Sequence, residues 1–333
     1  MKQVRILATG GTIAGAGGSG SASYQPGVLA VDDLVAALPG LGDVATISAE
    51  QIANIGSYDI GEPVWRQLVE RVQLAFSQAD VAGVVITHGT DTMEETAWFL
   101  SLVLPASKPV VLVGAMRPAG SLSADGPHNL MDAIRVAACD TAQNRGVMAV
   151  MNDTIFDAAS VTKTDAHRLH AFAAPSRASI GHMLGSAPVF HSRAIPHDAP
   201  FALEAQPLAR VAIAYAYAGV GEQDIRAVAE GAQGLVIAGV GAGNFSSGAR
   251  KAVQELAARG LPVVRTARQG TGDIWREDAL AGERSDDVLG TIAGRKLPPA
   301  KARILLMLAL QKPRTPAELQ ALFDRYGATQ GWA

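Results

Sequence analysis

Val84-Val85-Ile86-Thr87-His88-Gly89-Thr90-Asp91-Thr92-Met93-Glu94-Glu95-Thr96 is the stretch on which the fold turns. Val84–Ile86 is apolar without alternation, the pattern of a strand covered on both faces, as a parallel sheet requires. Gly89 then lets the backbone turn sharply and approach a ligand closely. The same order recurs near the start of the chain, in Ile6-Leu7-Ala8-Thr9-Gly10-Gly11-Thr12-Ile13-Ala14, where an apolar run again ends in Gly-Thr. Each threonine is thereby placed at the carboxyl edge of a parallel sheet, where open α/β sheets bind their ligands. Two such hydroxyls facing one small substrate from neighbouring loops read as a nucleophile site.

Outward from these segments, short β-branched runs alternate with helical stretches. Val4–Leu7, Val84–Thr87, Val110–Val113 and Val147–Met151 read as strands; Val31–Leu38, Val64–Phe76, Met93–Leu102 and Leu130–Cys139 read as helices. That rhythm implies crossover connections and a parallel sheet. Across 191–210 the pattern dissolves into HSRAIPHDAPFALEAQPLAR, with prolines and no sustained periodicity, and this stretch is expected to be a linker. Alternation resumes with Val211–Tyr217, Asp224–Glu230, Leu235–Ala238, Ala249–Arg259, Val263–Arg265 and Ala302–Leu310. The expected architecture is α/β: a larger N-terminal, doubly wound, mainly parallel sheet domain over 1–190, and a smaller C-terminal α/β domain over 211–333.

Composition narrows the partners. The chain has 333 residues, 48% of them apolar, enough for a core in each of two domains. A net charge of -3 with no Lys/Arg cluster offers nothing to neutralise a phosphate backbone, so nucleic acid is not an expected partner. No apolar stretch reaches the ~18 residues of a membrane helix. The first strand starts almost at once, without room for a signal peptide, so the expected compartment is the cytoplasm, or the periplasm for a processed form. Cys139 has no second cysteine to pair with and reads as a small buried hydrophobe on a helix.

Several ordered motifs resemble one family. They are ILATGGTIAG (Ile6–Gly15), NIGS (Asn54–Ser57), ITHGTDTMEETAWFL (Ile86–Leu100), KPVVLVGAMRP (Lys108–Pro118), SADGPHNL (Ser123–Leu130), NRGVMAVMND (Asn144–Asp153), VTKT (Val161–Thr164) and AGVGAGN (Ala238–Asn244). Together they are similar to the bacterial L-asparaginases of the type II and glutaminase-asparaginase branch. The resemblance implies an amidohydrolase that releases ammonia from L-asparagine, and from L-glutamine as a second substrate, through an acyl-threonine. It implies no cofactor and no metal, and a homotetramer built as a dimer of dimers.

By that resemblance Thr12 is the attacking nucleophile, Thr90, Asp91 and Lys163 form a second catalytic cluster, and Tyr24 hydrogen-bonds the Thr12 hydroxyl. The chemistry agrees: a threonine hydroxyl is a weak nucleophile and needs a proton acceptor nearby. A lysine, unlike an arginine, can serve as that base where burial or a positive dipole favours its neutral form. The other reading of Thr90-Asp91 is a helix cap ahead of Met93-Glu94.

The resemblance also gives the binding residues. Ser57 with the Gly89-Thr90 backbone would take the substrate carboxylate, and Asp91 the ammonium. Ala115 would accept from the amide nitrogen through its carbonyl. Backbone N–H groups about Gly11-Thr12 and Thr90 would form an oxyanion hole. Asn244 and Glu283 would come from a neighbouring subunit. The family carries Gln after the serine, whereas this chain has Tyr58, which bears on the choice between asparagine and glutamine.

Other features carry less. Gly15-Ala16-Gly17-Gly18-Ser19-Gly20 formally matches GxGxxG, but the residues that follow read as loop rather than helix, which suits a mobile lid better than a dinucleotide site. Gly239, Gly241 and Gly243 suit a tight turn. His167 and His170 lack a metal-ligand set around them and read as solvated histidines on a helix face. His88 is placed to tune the pocket electrostatically, and Arg117, Asp125 and His128 to hold the pocket loop and subunit contacts. Two other functions fit the same motifs: an amidase acting on a larger amide, and an amino-acid sensor of the same fold.

Overall fold

The computed structural model describes residues 1–17, 24–25, 31–36, 38–195, 197–276 and 285–328. The chain divides into two compact units, Met1–Pro200 and Phe201–Ala333.

The first unit is built on an 8-stranded sheet in the order Ala187–Phe190, Gly181–Leu184, Thr154–Asp157, Val147–Met151, Val110–Val113, Val81–Thr87, Gln3–Gly10, Thr46–Ile55. From Val147–Met151 to Thr46–Ile55 the neighbours are parallel; the remaining three strands add on antiparallel. The strands carrying the two Gly-Thr turns are adjacent, with Ile6 opposite Val85 and Ala8 opposite Thr87. Val84, Val85 and Ile86 are all fully buried, as expected of a strand covered on both faces. On one face Val4, Ile6, Ala8, Val85, Val111, Val113, Met148 and Val150 pack with Leu130, Ile134 and Ala137 of the helix Gly126–Ala138.

The helices form where the sequence gives both a stripe and an end signal. Glu62–Phe76 opens on an acid and a proline and buries Trp65, Leu68, Val69, Val72 and Ala75, a spacing that lies on one helical face. Its Trp65 ring stacks on Phe99 of the helix Met93–Val103, with centroids 4.6 Å apart. The latter helix begins after Thr92, which holds the N-cap position without a side-chain capping bond, and carries Glu94 and Glu95 in its first turn.

The second unit holds a 4-stranded parallel sheet in the order Val211–Tyr215, Gly234–Gly239, Val263–Ala267, Thr291–Ala293. Helices Glu222–Ala229 and Ser247–Ala258 contribute Ile225, Ala229, Ala249, Ala252 and Val253 to its core. Mixed α/β architecture, with a larger and a smaller unit, is therefore what the structure shows.

Two details differ from expectation, and a third reading falls outside the described residues. Cys139 follows the helix Gly126–Ala138 instead of lying within it, and is half-buried with Sγ 3.1 Å from Thr141 Oγ1. His167 and His170 are exposed but sit in a turn region, because Asp165 Oδ1 accepts from the backbone N–H groups of His167 and Arg168 and fixes a turn there. The stretch from Gly18 to Ser23 lies outside the described residues, so both the lid and the GxGxxG readings do as well.

Candidate active site

Two glycines set the frame of the site. Gly11 has φ +83°, and a Cβ there would lie 2.4 Å from both Cα and N of Gly89. A Cβ on Gly89 would in turn lie 2.8 Å from Cβ and Oγ of Ser57. The two Gly-Thr turns thus meet backbone to backbone, and the Ser57 side chain of the NIGS segment presses on the second of them, at contacts that only hydrogen can occupy. Further bonds tie the same edge: Gly11 N–H donates to Ile55 O at 3.0 Å, His88 N–H to Val113 O at 2.8 Å, and Thr9 Oγ1 to Thr87 O at 2.9 Å.

Lys163 reaches this edge from the short strand Thr162–Lys163, which pairs antiparallel with Phe172–Ala173. Its Nζ donates to Thr90 Oγ1 at 2.8 Å and to Asp91 Oδ1 at 2.6 Å. The lysine side chain is 15% exposed and Asp91 is 59% exposed, so the cluster is closed behind and open in front. Thr90 is buried, as is Thr12 at the head of the short helix Thr12–Ala14. The capping role for Thr90 fails, since Thr92 is the cap residue and the Thr90 hydroxyl is taken by Lys163. A hydroxyl hydrogen-bonded to an amine that also bonds a carboxylate is a pair able to exchange a proton with a bound molecule.

Ser57 is buried and holds the turn after Thr90. Its Oγ accepts from the N–H of Asp91 at 3.1 Å and, more weakly, of Thr92 at 3.4 Å, while its carbonyl accepts from Thr92 Oγ1 at 2.6 Å. With N–H groups on its lone pairs, the hydroxyl still has its own O–H to donate. Tyr58 is 66% exposed and folds its ring over Gly56, where a Cβ would lie 2.4 Å from Cζ.

His88 lies fully buried beneath the Gly89-Thr90 turn. Trp65 Nε1 donates to Thr96 Oγ1 at 2.9 Å, the Thr96 hydroxyl lies 2.8 Å from His88 Nε2, and His88 Nδ1 lies 2.7 Å from Gly89 O. One neutral tautomer, with the proton on Nδ1, satisfies all three bonds. Burial lowers the His88 pKa from 6.5 to about 4, against a smaller opposing pull from the Gly89 carbonyl. Between those values the unfolded chain binds the proton and the folded chain does not, so stability falls as pH drops through this window. The expected loss from His88 alone is on the order of 3 kcal/mol between pH 7 and pH 4. Unfolding midpoints across that range should slope less in His88→Gln than in the parent; equal slopes would refute the assignment.

The loop after Val110–Val113 is held by polar side chains. Asp125 accepts from Met116 N and Arg117 N, both at 2.9 Å, and Asn129 Nδ2 donates to Gly114 O at 3.1 Å. Ala115 is buried between these anchors. Asp125 and Arg117, which bonds Ser123, do hold this loop. His128 does not, because its ring turns to Asp132 and Asp153.

Gly11, Thr12, Ser57, Gly89, Thr90, Asp91 and Lys163 are therefore gathered at one sheet edge. Asn244 belongs to the second unit, exposed on a turn made tight by Gly241 (φ +55°) and Gly243 (φ +86°), with Val240 and Asn244 exchanging both backbone bonds at 2.8 Å. Glu283 and the Tyr24 side chain lie outside the described part of the structure. Sequence reasoning missed Thr92, Thr96, Trp65 and Asn129, whose roles are fixed by long-range bonds rather than by local pattern.

An α/β sheet thus carries a Thr–Lys–Asp cluster at its carboxyl edge. Residues 3–196 match the family model described as asparaginase, N-terminal, and residues 210–323 match that of the glutaminase/asparaginase C-terminal domain. The chain is 41% identical to L-asparaginase 2 of Escherichia coli, over 98% of its own length and 94% of that relative's. It is 39% identical to the glutaminase-asparaginase of Pseudomonas fluorescens, over 98% and 91% of the two lengths. The crystal structure of a probable cytoplasmic L-asparaginase from Campylobacter jejuni superposes with a TM-score of 0.91 at 40% identity, covering 97% of this chain and 99% of that one. The chain belongs to the asparaginase family.

Proposed function

We propose that this protein hydrolyses the side-chain amide of L-asparagine, and of L-glutamine as a second substrate, to the carboxylate and ammonia. The observation that carries this reading is the Lys163 amine bonded at once to Thr90 Oγ1 and Asp91 Oδ1, on a turn that packs against Gly11-Thr12. In this reading Asp91 takes the substrate ammonium, the Ser57 hydroxyl and the Gly89-Thr90 backbone take its carboxylate, and the Ala115 carbonyl takes the amide N–H. The Thr12 oxygen then attacks the amide carbon. Its proton passes through the Thr90–Lys163 pair to the leaving nitrogen, which departs as ammonia, and an ester remains on Thr12. Water, deprotonated through the same pair, attacks the ester carbon; the bond to the Thr12 oxygen breaks and that oxygen takes the proton back, releasing the carboxylate product. Backbone N–H groups about Thr12 and Thr90 stabilise the intermediate oxyanion, each typically worth ~3 kcal/mol. Tyr24 would bond the Thr12 hydroxyl.

Among the described residues no helix is long and apolar enough to cross a membrane. The cytoplasm is the proposed compartment, supported by the similarity to the probable cytoplasmic L-asparaginase of C. jejuni, and cell fractionation checks it. The proposed assembly is a homotetramer, a dimer of dimers in which Asn244 and Glu283 complete a neighbour's pocket. The exposure of Asn244 on its rigid turn supports this; a fully active monomer in sedimentation at assay concentration would refute it.

Ammonia release from L-asparagine, L-glutamine and their D-forms tests the function, and no release from either L-amide would refute it. Tyr58 is proposed to set the preference between them, because a phenol beside Ser57 fills space that the longer substrate needs. Tyr58→Gln should raise kcat/KM for glutamine relative to asparagine by about 1 to 2 kcal/mol. An unchanged ratio would show that Tyr58 does not set the preference.

A further inference from the structure

We propose that His128, Asp132 and Asp153 form a binding site for a divalent transition-metal ion of the zinc type, separate from the Thr90–Lys163 cluster. Their ligand atoms all lie within 4.8 Å of one another. His128 Nε2 is 2.9 Å from Asp153 Oδ1 and 3.3 Å from Asp132 Oδ2. Zinc bonds to nitrogen and oxygen at about 2.0–2.2 Å, so the edges of its tetrahedron are about 3.3–3.5 Å. The His128–Asp153 edge needs to open by only a few tenths of an ångström and the His128–Asp132 edge already matches, while the two carboxylates lie within 4.8 Å of each other.

The elements that carry them are rigid. His128 and Asp132 are four apart on the helix Gly126–Ala138 and so share one face. Asp153 is the second residue of the Asn152-Asp153 hairpin turn, where Met151 pairs with Thr154 and both turn residues have positive φ, +49° and +60°. That is the type I′ geometry, which asparagine and aspartate tolerate, and it lifts the Asp153 carboxylate toward the helix.

An independent sign points to a missing ligand. The Asp132 side chain is 0% exposed, yet its Oδ2 accepts no hydrogen bond among the described residues. Its one polar contact is to His128 Nε2 at 3.3 Å, and a buried carboxylate oxygen without a hydrogen bond is costly. The other oxygen, Oδ1, accepts from Arg135 at 3.1 Å, which fixes the carboxylate plane as an outer-sphere partner would. His128 and Asp153 are each 59% exposed, which leaves a fourth position to water. One imidazole and two carboxylates suit zinc, cobalt or nickel, whereas magnesium and calcium prefer all-oxygen sites.

The ion would tie the helix to the hairpin turn. Asn129, next to His128, already joins them by bonding Gly114 O and accepting from Asn152 N at 3.2 Å. The cation would thus brace the loop behind Ala115 from outside, as a structural ion rather than a reagent.

Chelator-dialysed full-length protein titrated with Co²⁺ at pH 7.5 should bind one equivalent, seen in the visible d–d bands, and Zn²⁺ should displace it. His128→Gln and Asp153→Asn, both at exposed positions, should weaken Zn²⁺ by at least about tenfold in calorimetry with unchanged circular dichroism. The exposed His182–His191 pair, with ring nitrogens 2.9 Å apart, is the competing imidazole site, so the same titrations are run on His182→Gln. Binding retained in His182→Gln and lost in the His128 and Asp153 variants supports the proposal. Binding lost only in His182→Gln, equal in all variants, or absent in the parent at about 1 mM Zn²⁺ overturns it.

Discussion

Lys163→Met should cut kcat for ammonia release by about 10²–10⁴-fold while leaving KM within a few-fold of the parent, the range expected when a proton-transfer group is removed. Methionine keeps the length and apolar stem of lysine but cannot donate to Thr90 Oγ1 or Asp91 Oδ1, bonds that Lys163 makes at 2.8 and 2.6 Å. If the amine serves to move a proton, acylation fails even though the substrate still binds. If it serves only to hold Asp91 beneath the ammonium, the loss falls on KM. A variant changed only in KM would move Lys163 from proton transfer to positioning.

Thr12→Ala and Thr90→Val should each lower turnover by about 10³-fold or more, and the double variant should lose little beyond the worse single one, because groups that act as a unit are not additive. Valine is the right replacement at 90. The site is buried, and the Thr90 methyl already sits against Gly114, so the shape is kept while the hydroxyl is lost. Unchanged circular dichroism with activity above about a tenth of the parent in either variant would show that the hydroxyl in question is not essential.

How much of this was legible in the sequence depends on which distances carry the information. The central strands were legible because Val84–Ile86 and Val110–Val113 are buried on both faces and write that burial as unbroken apolar runs. The strand Thr46–Ile55 went unread for the opposite reason: at the sheet edge it is half-exposed, and Glu50 and Gln51 interrupt its pattern, Glu50 pairing with Arg5 and Arg71. The hairpin Gly181–Phe190 and the helix Pro316–Gly327 were missed as well, although Thr315 and Glu318 form a capping box that marks where that helix begins.

The site divides in the same way. Thr12, Thr90 and Asp91 announce themselves by the repeated turn, and Lys163 by its motif. That Lys163 touches Thr90 across 73 positions, or that Thr96 bridges Trp65 and His88, is a property of packing alone. His128 likewise shows no ligand set in sequence, since Asp153 lies 25 residues away and reaches it only through the hairpin turn.

The contact between Gly11 and Gly89 settles how this site can be altered. Where two main chains touch with nothing larger than hydrogen between them, the interval separating the Thr12 and Thr90 turns is a machined tolerance rather than an adjustable gap. Side chains around the rim, Tyr58 among them, can be exchanged as tooling without shifting the chassis. A methyl group at position 11 would instead wedge the two strands' ends apart, and one at position 89 would collide with the Ser57 side chain; either displaces the hydroxyls mounted there.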